Sequence, residues 1–545
     1  MRNLAEFLPL RESTMKLGIS KLTFTFIPAA LLLVMATNSL GAETAEGTKP
    51  NVVLILADDL GYGDVQCYNP ERGKIPTPHI DALAAAGMRF TDAHSSSGVC
   101  SPSRYTLLTG RYHWRTRLQS GIVGYLERPL IAEDRLTLPG LLKRHGYQTA
   151  CIGKWHLGWD WDISAEERGL LAPGRGKFPE ASEKHRAAWR EVYARAIGGG
   201  PTTRGFHEYF GTDVPNWPPY CFIEQDRTVG IPTEFLPREL FQNNLASLPG
   251  PALADWKLEG VLPALGDRAC EYIERQAKTE EPFFLYLPLT SPHTPLAVNE
   301  SWRGKSGLNS AVADLIMETD ALVGRVLAAL EKSGAAENTL VLFTSDNGFA
   351  PYVGAKHLEQ QGHFPSGNLR GYKGDAWEGG HRVPFIVRWP GKTPAGAVCK
   401  ELVHQADCLA TFAEVLGVEL PAEAGEDSFS LLPLLRGGSE PVREHAVSQG
   451  SQGLLAVRLG EWKMLFGPSG GGAWSSQSAT KPDGQPAQLY NLAEDLGETR
   501  NLHAEQPEQA AKLTALMEQL VTRGRSTPGP EQKNEVPVNW RRFMK

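Results

Sequence analysis

Four well-separated apolar runs in this 545-residue chain each end in a short polar cluster, and those clusters carry the side chains that do chemistry. NVVLIL (51–56) leads into Asp58 and Asp59, and QTACIG (148–153) into Lys154 and His156. FFLYLPL (283–289) leads into His293, and TLVLF (339–343) into Asp346 and Asn347. Asp58, Asp59, Asp346 and Asn347 offer hard oxygen donors, which suit calcium or magnesium and not zinc. Three carboxylates placed together repel unless a cation lies between them. A single Asp after a strand is more often a cap or turn residue, but an acidic pair at one strand end and an Asp-Asn pair at another favour a shared cation. A fifth stretch, CSPSRYTLLTG (100–110), sets Cys100, Pro102 and Arg104 close together. A thiolate is a poor partner for a hard cation, so an unmodified Cys100 beside such a metal is chemically out of place.

Bringing these clusters together falls to the runs that precede them. Short continuous apolar runs without alternation suit central strands of a parallel sheet covered on both faces. Between them IDALAAAGMRF, LTLPGLLKRHGY and AVADLIMETDALVGRVLAALEKSG read as helices, the last stopping at Gly334. Strand alternating with helix means an α/β sheet. Ligands of open parallel sheets bind outside the carboxyl ends of the strands, so Asp58, Asp59, Lys154, His156, His293, Asp346 and Asn347 are expected along one edge. Beyond about residue 435 the texture changes. HAVSQG, LLAVRLGEWKMLFG and AQLYNL read as short half-buried strands, PEQAAKLTALMEQLVTRGR as a helix, and PSGGGAWSSQS as a mobile loop. The expected division is a large domain over 49–440 and a smaller α+β part over 441–545.

The 55 basic and 62 acidic residues leave a formal net charge of -7, which excludes the basic excess of a nucleic-acid binder. The apolar run FTFIPAALLLVMA (24–36) follows Lys16 and Lys21 and ends near the small-residue stretch SLGA at Ala42. Residues 1–42 therefore read as a secretory signal peptide, too short for a stable membrane span, with Met15 the better start of its basic region. The expected location is the periplasm or the extracellular space, where disulfides can form. No CxxC pair is present, and Cys151, inside an apolar run, reads as core.

The stretch CSPSRYTLLTG resembles the signature of type I sulfatases, the formylglycine-dependent, arylsulfatase-like members of the alkaline-phosphatase-like superfamily. GYQTACIGKWHLG (146–158) resembles the second signature. Further matches are NVVLILADDLGYGD, SPHTP, TSDNG, GYKGDAWEGGHRVPF (371–385) and LYNLAEDLGETRNL, so the likeness spans nearly all of the mature chain in the expected order. The resemblance implies a mostly parallel central sheet sandwiched between helices, with a short antiparallel sheet and a helix at the C-terminus. It implies that a formylglycine-generating enzyme oxidises Cys100 before folding, and that the hydrated aldehyde is the nucleophile. It implies Asp58, Asp59, Asp346 and Asn347 as calcium ligands, completed by modified Cys100, with magnesium the lesser choice. Arg104 is implied to hold the hydrate, Lys154 and His156 to meet the sulfate and the diol, and His293 and Lys373 to meet the sulfate and the leaving oxygen. His156 is assigned the base that expels sulfate, and His293 the acid that protonates the departing alcohol.

The substrate class that follows is a sulfate ester, in nature a sulfated sugar. Trp114, Trp159, Trp161, Trp217 and Tyr220 are expected as stacking surfaces for sugar rings, with Arg115 or Arg117 meeting a further anionic group. The segment from about 164 to 204 is expected as an exposed cap over the site. His113, His207, His357, His363 and His381 read as solvated or hydrogen-bonded surface groups. Two alternatives stay open: a phosphatase or phosphonate monoester hydrolase on the same scaffold, and a non-enzymatic binder of sulfated glycans whose cysteine is never oxidised.

Overall fold

Each of the four apolar runs forms a strand that continues into, or right up to, its polar cluster, which carries the chemistry to one edge of a sheet. The computed structural model describes residues 49–171, 180–241, 246–474 and 484–544, so the expected signal peptide lies outside the described residues. The strands are β1 (Asn51–Asp58), β2 (Met88–Phe90), β3 (Gln148–Lys154), β4 (Glu208–Thr212) and β5 (Ile223–Glu224), then β6 (Arg227–Thr228), β7 (Phe283–Pro292), β8 (Thr339–Ser345), β9 (Phe385–Arg388) and β10 (Ala397–Cys399). They form a ten-stranded sheet in the order β10-β2-β9-β8-β1-β7-β3-β4-β5-β6. The centre, β8-β1-β7-β3-β4, is parallel, while β9 and the β5-β6 hairpin run antiparallel towards the two margins.

Alternation along β1 explains why the centre reads as unbroken apolar sequence. Val53, Ile55 and Ala57 face a core built with α1 (Pro78–Ala86), α4 (Val261–Gln276) and α5 (Ala311–Lys332), through Ile80, Leu265 and Val323. Val52, Leu54 and Leu56 face the opposite core, where α2 (Cys100–Thr109) and α3 (Leu138–Arg144) contribute Leu107, Leu108, Leu141 and Leu142. With helices on both faces, neither register position can be polar. The stretch IDALAAAGMRF is not all helix: α1 stops at Ala86 and Met88–Phe90 enters the sheet. Gly87 makes that change of direction possible, because a Cβ there would lie 2.3 Å from the Val387 carbonyl oxygen.

The C-terminal region forms a second, four-stranded antiparallel sheet from β11 (His445–Gln449), β12 (Leu455–Leu459), β13 (Trp462–Leu465) and β14 (Gln488–Asn491). LLAVRLGEWKMLFG breaks into the β12-β13 hairpin at Gly460, whose φ is 56°. The amphipathic helix α6 (Pro507–Arg523) covers the sheet through Leu513, Met517 and Leu520. Part of the Gly/Ser-rich loop, residues 475–478, lies outside the described residues. All seven cysteines are free, and Cys151 is fully buried. Among the described residues no helix is long and apolar enough to cross a membrane.

Close approach of strands delivers Lys154. Gly153 has a φ of 141°, and a Cβ on it would sit 1.9 Å from the carbonyl oxygen of Pro288 on the neighbouring strand. Gly153→Ala is expected to cost about 2 kcal/mol or more, and to lower activity by displacing Lys154. Urea unfolding together with steady-state rates checks both.

Candidate active site

The expected convergence is present. Asp58 ends β1, Lys154 ends β3, His293 follows Pro292 at the end of β7, and Asp346 and Asn347 follow Ser345 at the end of β8. Cys100 is the first residue of α2, and Arg104 lies one turn further on. Lys373 comes from the loop between β8 and β9. Two of these residues are not glycine yet sit in the left-handed region, Asp59 at φ 68° and His156 at φ 53°. Such backbone costs about 1–3 kcal/mol and persists only where the surroundings hold it.

What holds it is a set of buried charge pairs. Lys154 Nζ donates to Asp58 Oδ2 at 2.7 Å. Arg104 donates through Nε and Nη2 to Asp346 Oδ2 at 3.0 and 2.8 Å, and through Nη1 to the Lys154 carbonyl at 2.9 Å. Lys373 Nζ lies 2.6 Å from Asp59. Asn347 Nδ2 donates to Asp59 Oδ1 at 2.8 Å, and the Asp59 amide to Asp346 Oδ1 at 3.2 Å. All these side chains are buried; the largest exposures in the set belong to His293 at 7% and Lys373 at 5%, which marks the side from which solvent reaches the centre.

The fields at this cluster set protonation. Burial raises the Asp58 carboxyl, but Lys154, His293 and Arg104 outweigh it and hold it well below the usual range. Burial and the adjacent Asp58 raise the Asp346 carboxyl, against the opposing pull of Arg104 and Lys154. Burial, despite Lys154 and Lys373, pushes the Cys100 thiol up to about 12, so the unmodified side chain is not a thiolate at neutral pH. His293 is brought down to about 4 by burial and Lys373, and His156 falls well below its ordinary value through burial, Lys154 and Arg104. His156 Nε2 donates to the Val123 carbonyl at 3.2 Å, which leaves Nδ1 as a buried lone pair without a protein partner. His293 Nδ1 donates to the Thr294 carbonyl at 2.6 Å, so Nε2 is the atom facing Asp59, at 3.7 Å.

The donor set fits a hard divalent cation. Asp58 Oδ1 and Asn347 Oδ1 are buried with no protein hydrogen-bond partner. Ligating atoms of Asp58, Asp59, Cys100 and His293 lie within 4.8 Å of one another. Three carboxylates balance three side-chain cations here, so a divalent ion among the carboxylates would leave Arg104, Lys154 and Lys373 free to face an anion.

The family model described as Sulfatase matches residues 50–418. The chain belongs to the sulfatase family. It is 31% identical over 538 residues to the N-acetylgalactosamine-6-O-sulfatase of Bacteroides thetaiotaomicron, covering 91% of this chain and 98% of that one. Human arylsulfatase A is 32% identical over 498 residues, covering 87% and 86%. A solved structure from work on glycosaminoglycan metabolism by Bacteroides thetaiotaomicron superposes with a TM-score of 0.74 at 31% identity, covering 87% of this chain and 99% of that one. The protein is thus a sulfuric ester hydrolase, and its fold is the mostly parallel sheet with a small C-terminal antiparallel sheet that the resemblance implied.

The expected sugar platform of this sulfatase needs correction. Trp114 is fully buried against Tyr112 and the C-terminal core, and Trp159, Trp161 and Tyr220 are buried too. Arg115 is consumed internally, pairing with Asp427 at 2.8 Å. Trp217 keeps partial exposure and packs edge-on against His156 at 5.4 Å, and Arg117 is exposed beside Glu127. His113, His363 and His381 are hydrogen-bonded but buried, not at the surface. The segment 164–204 carries helices Ala165–Leu171 and Glu183–Val192, and residues 172–179 lie outside the described ones. It docks on the loop before Arg128 through Tyr125, which donates to the Leu171 carbonyl.

Several contributors carried no legible signal. Gln449, at the end of β11, holds the approach to Cys100: its amide donates to the Ser96 carbonyl, and its carbonyl accepts the Gly98 amide, both at 3.0 Å. The Lys373 loop is held by a buried ion cluster. Lys463 Nζ on β13 lies 2.8 Å from Glu378, 2.9 Å from Glu498 and 3.1 Å from His381 Nε2. His94, Glu378 and His381 have metal-like spacing, but the Lys463 ammonium already serves that group as its cation. Lys463→Met takes the ammonium from buried Glu498 and leaves Glu378 with Arg382 at 3.1 Å, and is expected to cost about 3–5 kcal/mol, read as a lowered denaturation midpoint.

Proposed function

We propose that this sulfatase is an exported enzyme that removes sulfate from carbohydrate esters, using residue 100 in its formylglycine form and a bound divalent cation, calcium in preference to magnesium. The observation that carries this reading is the buried, charge-balanced cluster at the N-terminus of α2, in which Cys100 is protonated and hemmed in by hard oxygen donors. Asp58, Asp59, Asp346 and Asn347, with residue 100, would hold the cation. Formylglycine, once formed, supplies a hydrated aldehyde, with one hydroxyl to attack sulfur and a second through which sulfate is expelled. The 31% identity to an N-acetylgalactosamine-6-O-sulfatase over almost its whole length supports a sugar as the alcohol. The proposed division is a catalytic part over 49–440 and a C-terminal part over 441–545.

The roles of this chain's own residues follow from where their atoms lie. Arg104, Lys154 and Lys373 are fixed cations in a water-poor pocket, and such preorganised charge stabilises developing negative charge on the sulfate oxygens by several kcal/mol. His156 Nδ1, with Nε2 tied to Val123, accepts a proton at the hydroxyl side of the centre. His293 is oriented by its bond to Thr294, and Nε2, when protonated, passes that proton to the oxygen of the departing alcohol. In balance, one S–O bond of the ester is broken and one water is consumed, giving the alcohol and inorganic sulfate.

Mass spectrometry of the Cys100 peptide from matured protein is expected to show loss of sulfur to an aldehyde; retained thiol in active protein would overturn the reading. Cys100→Ser is expected to release no more than one equivalent of nitrophenol from a nitrophenyl sulfate, and sustained turnover would refute the role of residue 100. Chelator treatment is expected to abolish activity, with calcium restoring it better than magnesium. The wild-type enzyme should cleave the nitrophenyl sulfate faster than the phosphate.

A further inference from the structure

A cleft of about 820 Å³ opens beside the loops that carry His293 and Lys373. Its wall begins at Thr294, next to His293, and continues to Tyr352 and Trp474. The Tyr352 and Trp474 rings lie 4.8 Å apart at 40°, and both residues are half-buried. Trp474 also packs on the residue after Lys373: a Cβ on Gly374 would be 3.5 Å from Trp474 Cε3. Tyr352 follows closely on Phe349, whose carbonyl accepts the Lys373 amide at 2.9 Å. The aromatic pair thus packs on the loop that carries Lys373, in a cleft whose wall also includes the neighbour of His293. The remainder of the lining is polar in a particular way. Arg303 is paired with Glu259 at 3.4 Å, and the Asp314 carboxylate accepts the amides of Gly304 and Ser306 at 2.7 and 2.8 Å. Among the described lining residues, Arg303 is the cation, and its charge is already answered.

We propose that Trp474 and Tyr352 form the wall on which the pyranose ring bearing the sulfate stacks, and that the cleft accepts a sugar that is otherwise uncharged. The proposal rests on the sulfate-ester reading of the reaction centre. A pyranose presents a face of C–H groups that packs on an aromatic ring, and a rim of hydroxyls that needs hydrogen-bonding partners. The aromatic pair offers the first, and Asn309, Ser310 and the Glu259–Arg303 pair offer the second. A second sulfate or a uronate carboxylate would meet a lining in which Glu259 and Asp314 outnumber Arg303, which disfavours it. The volume is in the upper part of the range of ligand pockets, about 300–1,000 Å³, which leaves room for a ring beyond the one that carries the sulfate.

The test is made on binding, in the full-length Cys100→Ala protein, which has no nucleophile at position 100. Calorimetric titration with 6-sulfated N-acetylgalactosamine is expected to show Trp474→Ala weakening Kd by about tenfold or more and Trp474→Phe by about threefold or less. A disulfated form of the same sugar is expected to bind the parent about tenfold more weakly than the monosulfated one. In the matured enzyme, Trp474→Ala should raise KM for the monosulfated sugar with little change in kcat, which a loss of folding alone would not do. Equal affinity of the Trp474→Ala and parent proteins would overturn the subsite, and tighter binding of the disulfated sugar would overturn its preference for an uncharged ring. Failure of matured wild-type enzyme to hydrolyse either a nitrophenyl sulfate or the sugar sulfate would instead overturn the reading of the reaction centre, since the binding comparison does not depend on turnover.

Discussion

Everything at this centre depends on the mutual neutralisation of three carboxylates and three cations out of contact with water. A buried ion is tolerated only when it is paired and hydrogen-bonded, and removing one partner leaves a penalty of several kcal/mol. Asp58 with Lys154, Asp346 with Arg104, and Asp59 with Lys373 meet that requirement. Because the two members of each pair come from different elements, the pairing locks those elements in register. It also secures the left-handed backbone at Asp59 and His156, conformations that would relax in a looser setting.

The same balance makes the centre responsive to what enters it. A divalent ion among the oxygens would take over the carboxylates and leave the side-chain cations to answer the charge of a sulfate group. Two buried atoms without protein hydrogen-bond partners, Asp58 Oδ1 and Asn347 Oδ1, mark where the donors have spare capacity. The two histidines are kept neutral by burial and by neighbouring cations, and each has one ring nitrogen tied to a backbone carbonyl. Their orientation is therefore set before any substrate arrives, which is the condition for efficient proton transfer.

The small C-terminal sheet belongs to this machinery as much as the large one does. Gln449 braces the segment leading to Cys100, and Lys463 ties down the loop that presents Lys373. Trp474 extends the same influence to the cleft wall. Neither sheet completes the site alone: the large sheet sets the charged centre, while the small one fixes the loops that bound it.

Much of the fold and the charged centre was legible in the chain itself. Unbroken apolar runs announce two-sided burial, and a polar cluster after each run announces the edge at which ligands sit, because both follow from local periodicity and strand direction. The residue types at those ends limited the chemistry to hard-cation and anion binding, and the motif around Cys100 pointed to sulfate esters. Which aromatic side chain meets solvent was not legible. Trp114 and Arg115 look available in sequence, yet Tyr112 and the distant Asp427 absorb them, whereas Trp474, in a Gly/Ser-rich stretch, lies beside Lys373. The role of Lys463 was hidden for the same reason. The chain by itself determined the strands, their polar ends and the reaction class; only tertiary structure decided which charges are paired and which surfaces remain open, because both depend on partners hundreds of residues away.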